Sequence, residues 1–375
     1  TGTCTATDFA GDGSNLTGIS GGVVSDSNDN TVAGTNAGNN FDGNNAVRNS
    51  LYGKVAGENI TTGDENSAFG ARALDATTTG SMNTAIGLDA LGANTTASSN
   101  TAVGADALKV NTTGTLNTAV GSNSLDANTT GNYNTAVGSG SLGSNTTGVE
   151  VTAVGYNALN ANTTGQHNTA VGHNALLNNT TAQNNAAFGE QALEANTTGG
   201  NNTALGEAAL HGNTTASNNT AVGYFSLLAN TTGQALVAVG ASALVNNTTG
   251  DFNTAVGSQC LDANTEGDNN TAVGDRSLTT NTTGGNNTAV GQSAMGLNQT
   301  GDNCTGIGLG ALYANTTGDH NTSVGRSNLG ANTTGQQNTA VGSVCLDANT
   351  TASNNTAMGY SAMGGNTTGE RNVAV

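Results

Sequence analysis

The chain has 375 residues, enough for two or three ordinary domains, with 7 basic against 25 acidic side chains and a formal charge of -18. Only 34% of residues are hydrophobic, 3% are aromatic, and tryptophan and proline are absent, so a conventional thick core is excluded. Arg48, Lys54, Arg72, Lys109, Arg276, Arg326 and Arg371 form no basic stripe, which argues against nucleic acid, and no stretch is apolar enough to span a membrane. The acidity reads as solubility and mutual repulsion between molecules.

In chain order, residues 1–48 form a Gly- and Asn-rich leader, with a degenerate coil expected from Asn30-Thr31-Val32-Ala33-Gly34. Asp8 and Asp12 in it could touch a cation, but Gly-Asp-Gly-Ser reads more simply as a turn. Residues 49–65 make a weak seventeen-residue unit with Gly57 where the later units have Leu, as expected of a capping coil. From Asn66 to Arg371 a seventeen-residue unit recurs eighteen times without a slip, and residues 372–375 begin another. The chain opens on Thr1 without a signal peptide and is expected to be a processed or partial piece of something longer.

Such a register is the signature of a solenoid. A disordered chain has no physical reason to keep one apolar pattern in step through eighteen copies. Counting from the Asn of Asn-Thr-Ala-Val-Gly, position 4 is always apolar, position 9 is Leu or Met, position 3 is nearly always Ala and position 5 is always Gly. β-branched residues, Gly and an Asn-Thr-Thr-Gly punctuation in every unit leave no room for helices. The expected coil has a strand over positions 1–4, a corner at 5, a second short extended segment over 7–10 and a polar turn at Asn-Thr-Thr-Gly. The fold class is all-β, a parallel β-solenoid or β-roll. Stacking at about 4.8 Å per coil makes the eighteen coils roughly 86 Å long.

Position 15 accepts Ala at Ala97, Ala182, Ala216 and Ala352, whereas position 5 accepts nothing but Gly. Position 5 is therefore expected to be a left-handed corner or a point of close backbone approach. The Asn columns at positions 1 and 12 are expected to bond amide to amide up the stack, with the first interrupted at Val151, Leu236 and Cys304. One Val and one Leu buried per coil is little against the cost of ordering seventeen residues. Further burial against partners is expected, as a parallel homotrimer meeting through the smooth Ala and Gly columns of positions 3 and 5; a lone solenoid is the alternative.

No catalytic, cofactor-binding or metal-binding residue is expected. Cys260 and Cys345 occupy position 8, where Ala or Ser is usual, Cys304 replaces a ladder Asn, and Cys4 lies in the leader. His167, His173, His211 and His320 fall in variable columns without ligand spacing. Catalysis needs one irregular, preorganised site, and the array offers eighteen near-identical surfaces instead. Asn-Thr-Thr, as at Asn94, Asn111, Asn128 and Asn145, matches the N-glycosylation acceptor, although a turn with an Asn ladder already accounts for it. Thr columns at positions 2, 13 and 14 raise ice binding as a rival, weakened because adjacent residues such as Thr129 and Thr130 would point oppositely in a strand. Tyr156, Tyr224, Phe225, Tyr313 and Tyr360 are too scattered for a sugar-stacking groove.

The unit Asn-Thr-Ala-Val-Gly-x-x-Ala-Leu, as at Asn100 to Leu108 and Asn168 to Leu176, resembles the head repeats of trimeric autotransporter adhesins and the arrays of bacterial and phage tail-fibre-like proteins. The leader segment Thr7 to Ile19 resembles a segment common in phage fibres. The resemblance covers nearly the whole chain, although the period is longer than the usual adhesin-head unit and neither a chaperone nor an anchor segment is present. It implies trimers of left-handed parallel β-rolls outside the cell, at a cell surface or on a virion. The expected role is a rigid fibre or shaft that holds a binding tip away from a surface, with self as partner and a receptor met through other regions. A repeat-based adhesin acting by avidity is the alternative.

Overall fold

The computed structural model describes residues 23–42 and 45–375; Cys4, Asp8, Asp12 and the fibre-like segment Thr7 to Ile19 lie outside them. A first strand, β1 (Val24–Ser25), pairs antiparallel with β2 (Thr31–Ala33), which pairs in parallel with β3 (Ser50–Tyr52) and that with β4 (Ser67–Phe69). From there every strand pairs in parallel with the next, down to Val373–Ala374. Register holds at one repeat, as in Thr118↔Thr135 and Val120↔Val137. Among the described residues none is helical. The chain is an all-β parallel solenoid of seventeen-residue coils.

Each shaft coil has one strand of three residues over positions 2–4, lengthened to five only at Thr339–Ser343 and Thr356–Tyr360. The expected second extended segment is not there. Positions 7 and 9 take left-handed backbone, as at Asn123 (φ 56°) and Leu125 (φ 50°), and the run from 6 to 11 is a turn. Its amides still ladder, but in two directions. Asn123 N donates to the preceding coil at Ala105 O (3.0 Å), whereas Leu125 N and Ala127 N donate to the next, at Ser141 O (3.0 Å) and Gly143 O (3.2 Å). Reversal of the backbone between successive residues allows both while satisfying buried N–H groups.

The strand parity is as expected, but the inner face is the opposite one. Ala of position 3 points inward and is fully buried, with Ala or Ser of position 8 and Leu of position 9, while Val of position 4 faces out and is half-exposed. The interior is too narrow for two branched side chains per coil: the Leu of position 9 fills it and leaves room for a methyl group. Gly306 shows the limit, since a Cβ there would lie 2.7 Å from Cγ of Met295, the longer side chain standing in for Leu one coil earlier. The expected meeting of chains through the Ala column is therefore excluded, because those alanines are core.

Two Asn ladders run through the interior. Asn117 N donates to Asn100 Oδ1 (3.0 Å) and Asn117 Nδ2 to Gly131 O (2.8 Å), while Asn128 Nδ2 donates to Asn111 Oδ1 (2.8 Å) and to the same Gly131 O (3.1 Å). The position-15 carbonyl is thus the common acceptor of both columns, and each side-chain amide of the two ladders within the shaft donates to one, as burial demands. Cys304 fits this scheme. Its amide donates to Asn287 Oδ1 (2.9 Å), its thiol to Gly318 O (3.2 Å), and its sulfur accepts from Asn321 N (3.4 Å).

Candidate functional surfaces

With positions 1, 3, 8, 9, 12 and 15 turned inward, the outside of the rod consists of three kinds of column. The first is the strand face. Thr of position 2 and the apolar residue of position 4 alternate outward, and the second column stays apolar in all eighteen coils although it is half-exposed, with Phe69 at 42%, Ile86 at 41% and Leu205 at 48%. Side-chain size varies along it, from Val to Phe188 and Met358.

The second kind is the bend at positions 13 and 14. The position-13 Thr turns its hydroxyl onto the next coil, as in Thr129 Oγ1 to Thr146 O (3.0 Å). The position-14 side chain is exposed in every coil, and among the described residues no protein group bonds its Thr hydroxyl. Because the segment is a bend and not a strand, Thr129 and Thr130 both lie on the outside, which removes the objection that neighbouring residues point oppositely.

The third kind, positions 6, 7, 10, 16 and 17, is variable and carries every charge of the shaft except Glu266. Here Arg72 pairs with Asp89, and Lys109 with Asp106 (2.9 Å) and Asp89 (4.0 Å). Burial pushes the Asp75 carboxyl above its ordinary value, with the neighbouring Asp89 charge adding to the rise. Three histidines face glutamates one coil away, His167–Glu150 (3.4 Å), His173–Glu190 (3.8 Å) and His211–Glu194 (3.4 Å), and His173 also stacks on Tyr156 (centroids 5.5 Å). These histidines are exposed, separate, and without a common centre. Tyr224 stacks on its neighbour Phe225 (3.8 Å). At position 16, short polar side chains cap the preceding coil, as Asp268 Oδ1 does for Asp251 N (2.7 Å).

Among the described residues no group of three or more His, Cys, Asp or Glu is placed to hold a metal ion, and no helix is long and apolar enough to cross a membrane. Cys260, Cys304 and Cys345 are buried and free. Burial pushes the Cys260 thiol up to about 12 and that of Cys304 up to about 11, so neither forms a reactive thiolate near neutrality.

The Asn-Thr-Thr acceptors are placed where a glycan cannot sit. Asn94, Asn111, Asn128 and Asn145 are fully buried in the position-12 ladder. A different Asn-x-Thr set, which the repeat reading passed over, starts at position 17 with Asn201, Asn218, Asn269, Asn286, Asn303 and Asn354, all on the outer surface. Pairing each position-17 Asn with the Thr two residues later, across the repeat boundary, would have found it. No protein-family model, no curated protein and no solved structure matches the chain.

Proposed function

We propose that this chain is a structural shaft: a stiff extracellular rod, of the trimeric adhesin-head or tail-fibre kind, that spaces or presents a binding tip at a cell surface or on a virion and performs no catalysis. The observation that carries the reading is the parallel ladder running coil upon coil from Ser50 to Ala374 with no loop interrupting it. Continuous inter-coil bonds resist bending, and a ladder without loops over these residues gives proteases little to cut. Its outer columns hold no preorganised centre, which suits a spacer.

Self-association, as a parallel homotrimer, is supported by the strand face. An exposed column that stays apolar through eighteen coils while the outer columns of positions 6, 7, 16 and 17 diversify has a reason to avoid water. Its variation in size is what packing against another protein surface accommodates, since protein contacts repack around volume. The resemblance of the repeat to trimeric adhesin heads points the same way. Val154, Val171 and Phe188 belong to its sixth, seventh and eighth coils.

Two measurements test this. Electron micrographs of the purified protein should show straight rods whose length scales with coil number when whole repeats are deleted; globular or flexible particles would refute the shaft. Sedimentation should give three chains per rod, dissociating when Val154, Val171 and Phe188 are replaced by Lys. Attachment that declines in proportion to the number of coils removed would instead favour an adhesin binding by avidity.

A further inference from the structure

We propose that the bend face formed by the Thr columns of positions 13 and 14 binds an ordered water lattice, the surface of an ice crystal. Position 14 is the starting point. Its side chain is exposed in every coil and gives the fold no hydrogen bond, so the fold itself places little constraint on it. Glu266 demonstrates the tolerance, since a charged side chain stands there within an otherwise regular coil. Yet the other seventeen coils of the shaft all keep Thr, while the outer columns 6, 7, 16 and 17 have drifted through Arg, Tyr, Glu, Gly, Asp and His. Recent copying of one unit cannot account for this, because copying would have held every column alike.

What is kept is a hydroxyl and a methyl group on one stiff branched side chain. β-Branching restricts χ1, so little freedom remains to be lost on docking. In most coils the backbone beneath is pinned twice, as where Thr112 N (3.0 Å) and Thr113 N (3.2 Å) both donate to Thr129 O. The column therefore repeats at the inter-coil spacing, about 4.8 Å, with little play. The position-13 Thr column runs beside it, each hydroxyl fixed by the next coil's carbonyl as at Thr112 and Thr129. Neither column carries a charge except Glu266, so nothing imposes the strong hydration that would compete with a crystalline water layer.

A partner with matching translational order is the one that exploits a row of this kind. A protein partner tolerates mixed sizes, as the strand face displays, and a soluble small ligand needs one site and not seventeen. A crystal face rewards uniformity over the full length, because each further coil in register adds another contact to the same particle. The uniform bend face and the uneven strand face thus suit different occupants. The inference does not depend on the shaft's assembly, since the two faces lie on separate segments of the coil.

The test is thermal hysteresis and crystal habit with the intact purified chain. The wild type is expected to hold the freezing point below the melting point and to produce faceted crystals. Replacing Thr147, Thr164 and Thr181 by Lys, in the middle of the unbroken run from Thr79 to Thr249, should abolish most of that gap. Replacing Thr152, Val154 and Val171 by Lys on the strand face should leave it in place. If the Lys variants lose the β-rich circular dichroism spectrum, E266T decides: it joins two interrupted runs without burying anything, and it should widen the gap. Round, unshaped crystals in wild-type solutions, hysteresis indifferent to E266T, or hysteresis lost through the strand face alone would each overturn the proposal. Failure here with rods still straight in micrographs leaves the shaft reading standing.

Discussion

The two coils at the amino-terminal end and the eighteen of the shaft reach the same interior by different means. In the shaft, position 3 is typically Ala, position 9 Leu and position 12 Asn; in the coil of residues 49–65 these are Leu51, Gly57 and Ile60, and in the coil before it Val32, Gly38 and Phe41. A Cβ on Gly57 would stand 2.8 Å from Ile60 Cδ1 and 2.9 Å from Leu51 Cδ1, and one on Gly38 2.8 Å from Phe41 Cε2. The volume that Leu supplies from position 9 arrives at the end from positions 3 and 12. The position-12 ladder stops at this boundary, with Thr77 Oγ1 accepting from Asn94 Nδ2 (3.2 Å), whereas the position-1 ladder passes through Asn49 to Asn30. Side-chain volume per coil is what the interior holds fixed, and the residue that supplies it is free to change.

The largest expected effect comes from giving a shaft coil the end's position 9 without its compensation. Leu159→Gly removes a fully buried side chain, and although Gly suits the left-handed backbone there, the cavity should cost about 2–5 kcal/mol. Hydrogen exchange should accelerate across the neighbouring coils and leave distant ones protected, because an array of this kind loosens locally. The converse change, Gly57→Leu, should overpack and destabilise the end by about 1–3 kcal/mol. Adding Leu51→Ala and Ile60→Asn, which restores the shaft recipe, should recover most of that loss. If the triple variant is no better than the single, volume is not what the two regions share.

Next comes the contrast between the Gly columns. In the coil of residues 219–235, a Cβ on Gly223 or on Gly233 would in each case sit 2.5 Å from the next coil's carbonyl oxygen. Only Gly223 has positive φ (135°). Since position 15 already accepts Ala in four coils, close approach alone is survivable, and the backbone angle makes position 5 exclusive. Gly223→Ala should cost about 2–4 kcal/mol from strain and clash together, and Gly233→Ala about 1 kcal/mol or less. Equal effects on the local exchange rates would assign the exclusivity to packing instead. A smaller third effect is expected at Gly306→Ala, about 1–3 kcal/mol from contact with Met295 and relieved by adding Met295→Leu.

Much of this was legible in the sequence. Period, parallel stacking, the Gly corner and the Asn ladders all follow from columns that cannot be read another way. Three features were not. Parity assigns Thr and Val to one side of the strand and Ala to the other, but which side is inner depends on the room that the Leu of position 9 leaves, and apolarity alone favoured Val. The left-handed residues at positions 7, 9 and 17 were also missed. A signal existed for two of these columns, since position 7 contains Asp89, Asp106, Asn123 and Asn157 and position 17 contains Asn184, Asn201 and Asn218, residue types that tolerate positive φ. Leu at position 9 gives no such hint, because its burial overrides its backbone preference. The outer faces were legible as columns, but their orientation at the bend was not, and that orientation brings the Thr columns of positions 13 and 14 to one surface.

The smallest effect concerns how the end is closed. Asp26 heads the position-1 ladder: its carboxylate accepts from Asn30 N (2.9 Å), Asn30 Nδ2 (2.9 Å) and Asn28 N (2.9 Å). Partial burial alone would raise its pKa, but the bonds from Asn30 and Asn28 outweigh this and hold it below the ordinary carboxylate value. A group whose pKa is lowered on folding stabilises above its unfolded value and ceases to as pH falls through the folded one. Exchange at the Thr31–Ala33 amides should therefore speed up below about pH 4 in the wild type, near the ordinary Asp value, with the shaft unaffected. Asp26→Asn should show the faster exchange at neutral pH and lose the acid step. Were the wild-type end to fray equally at both pH values, closure would rest on the antiparallel pairing of Val24 with Val32 and of Ser25 with Thr31. The two regions would then differ in strand direction as well as in how the core is filled.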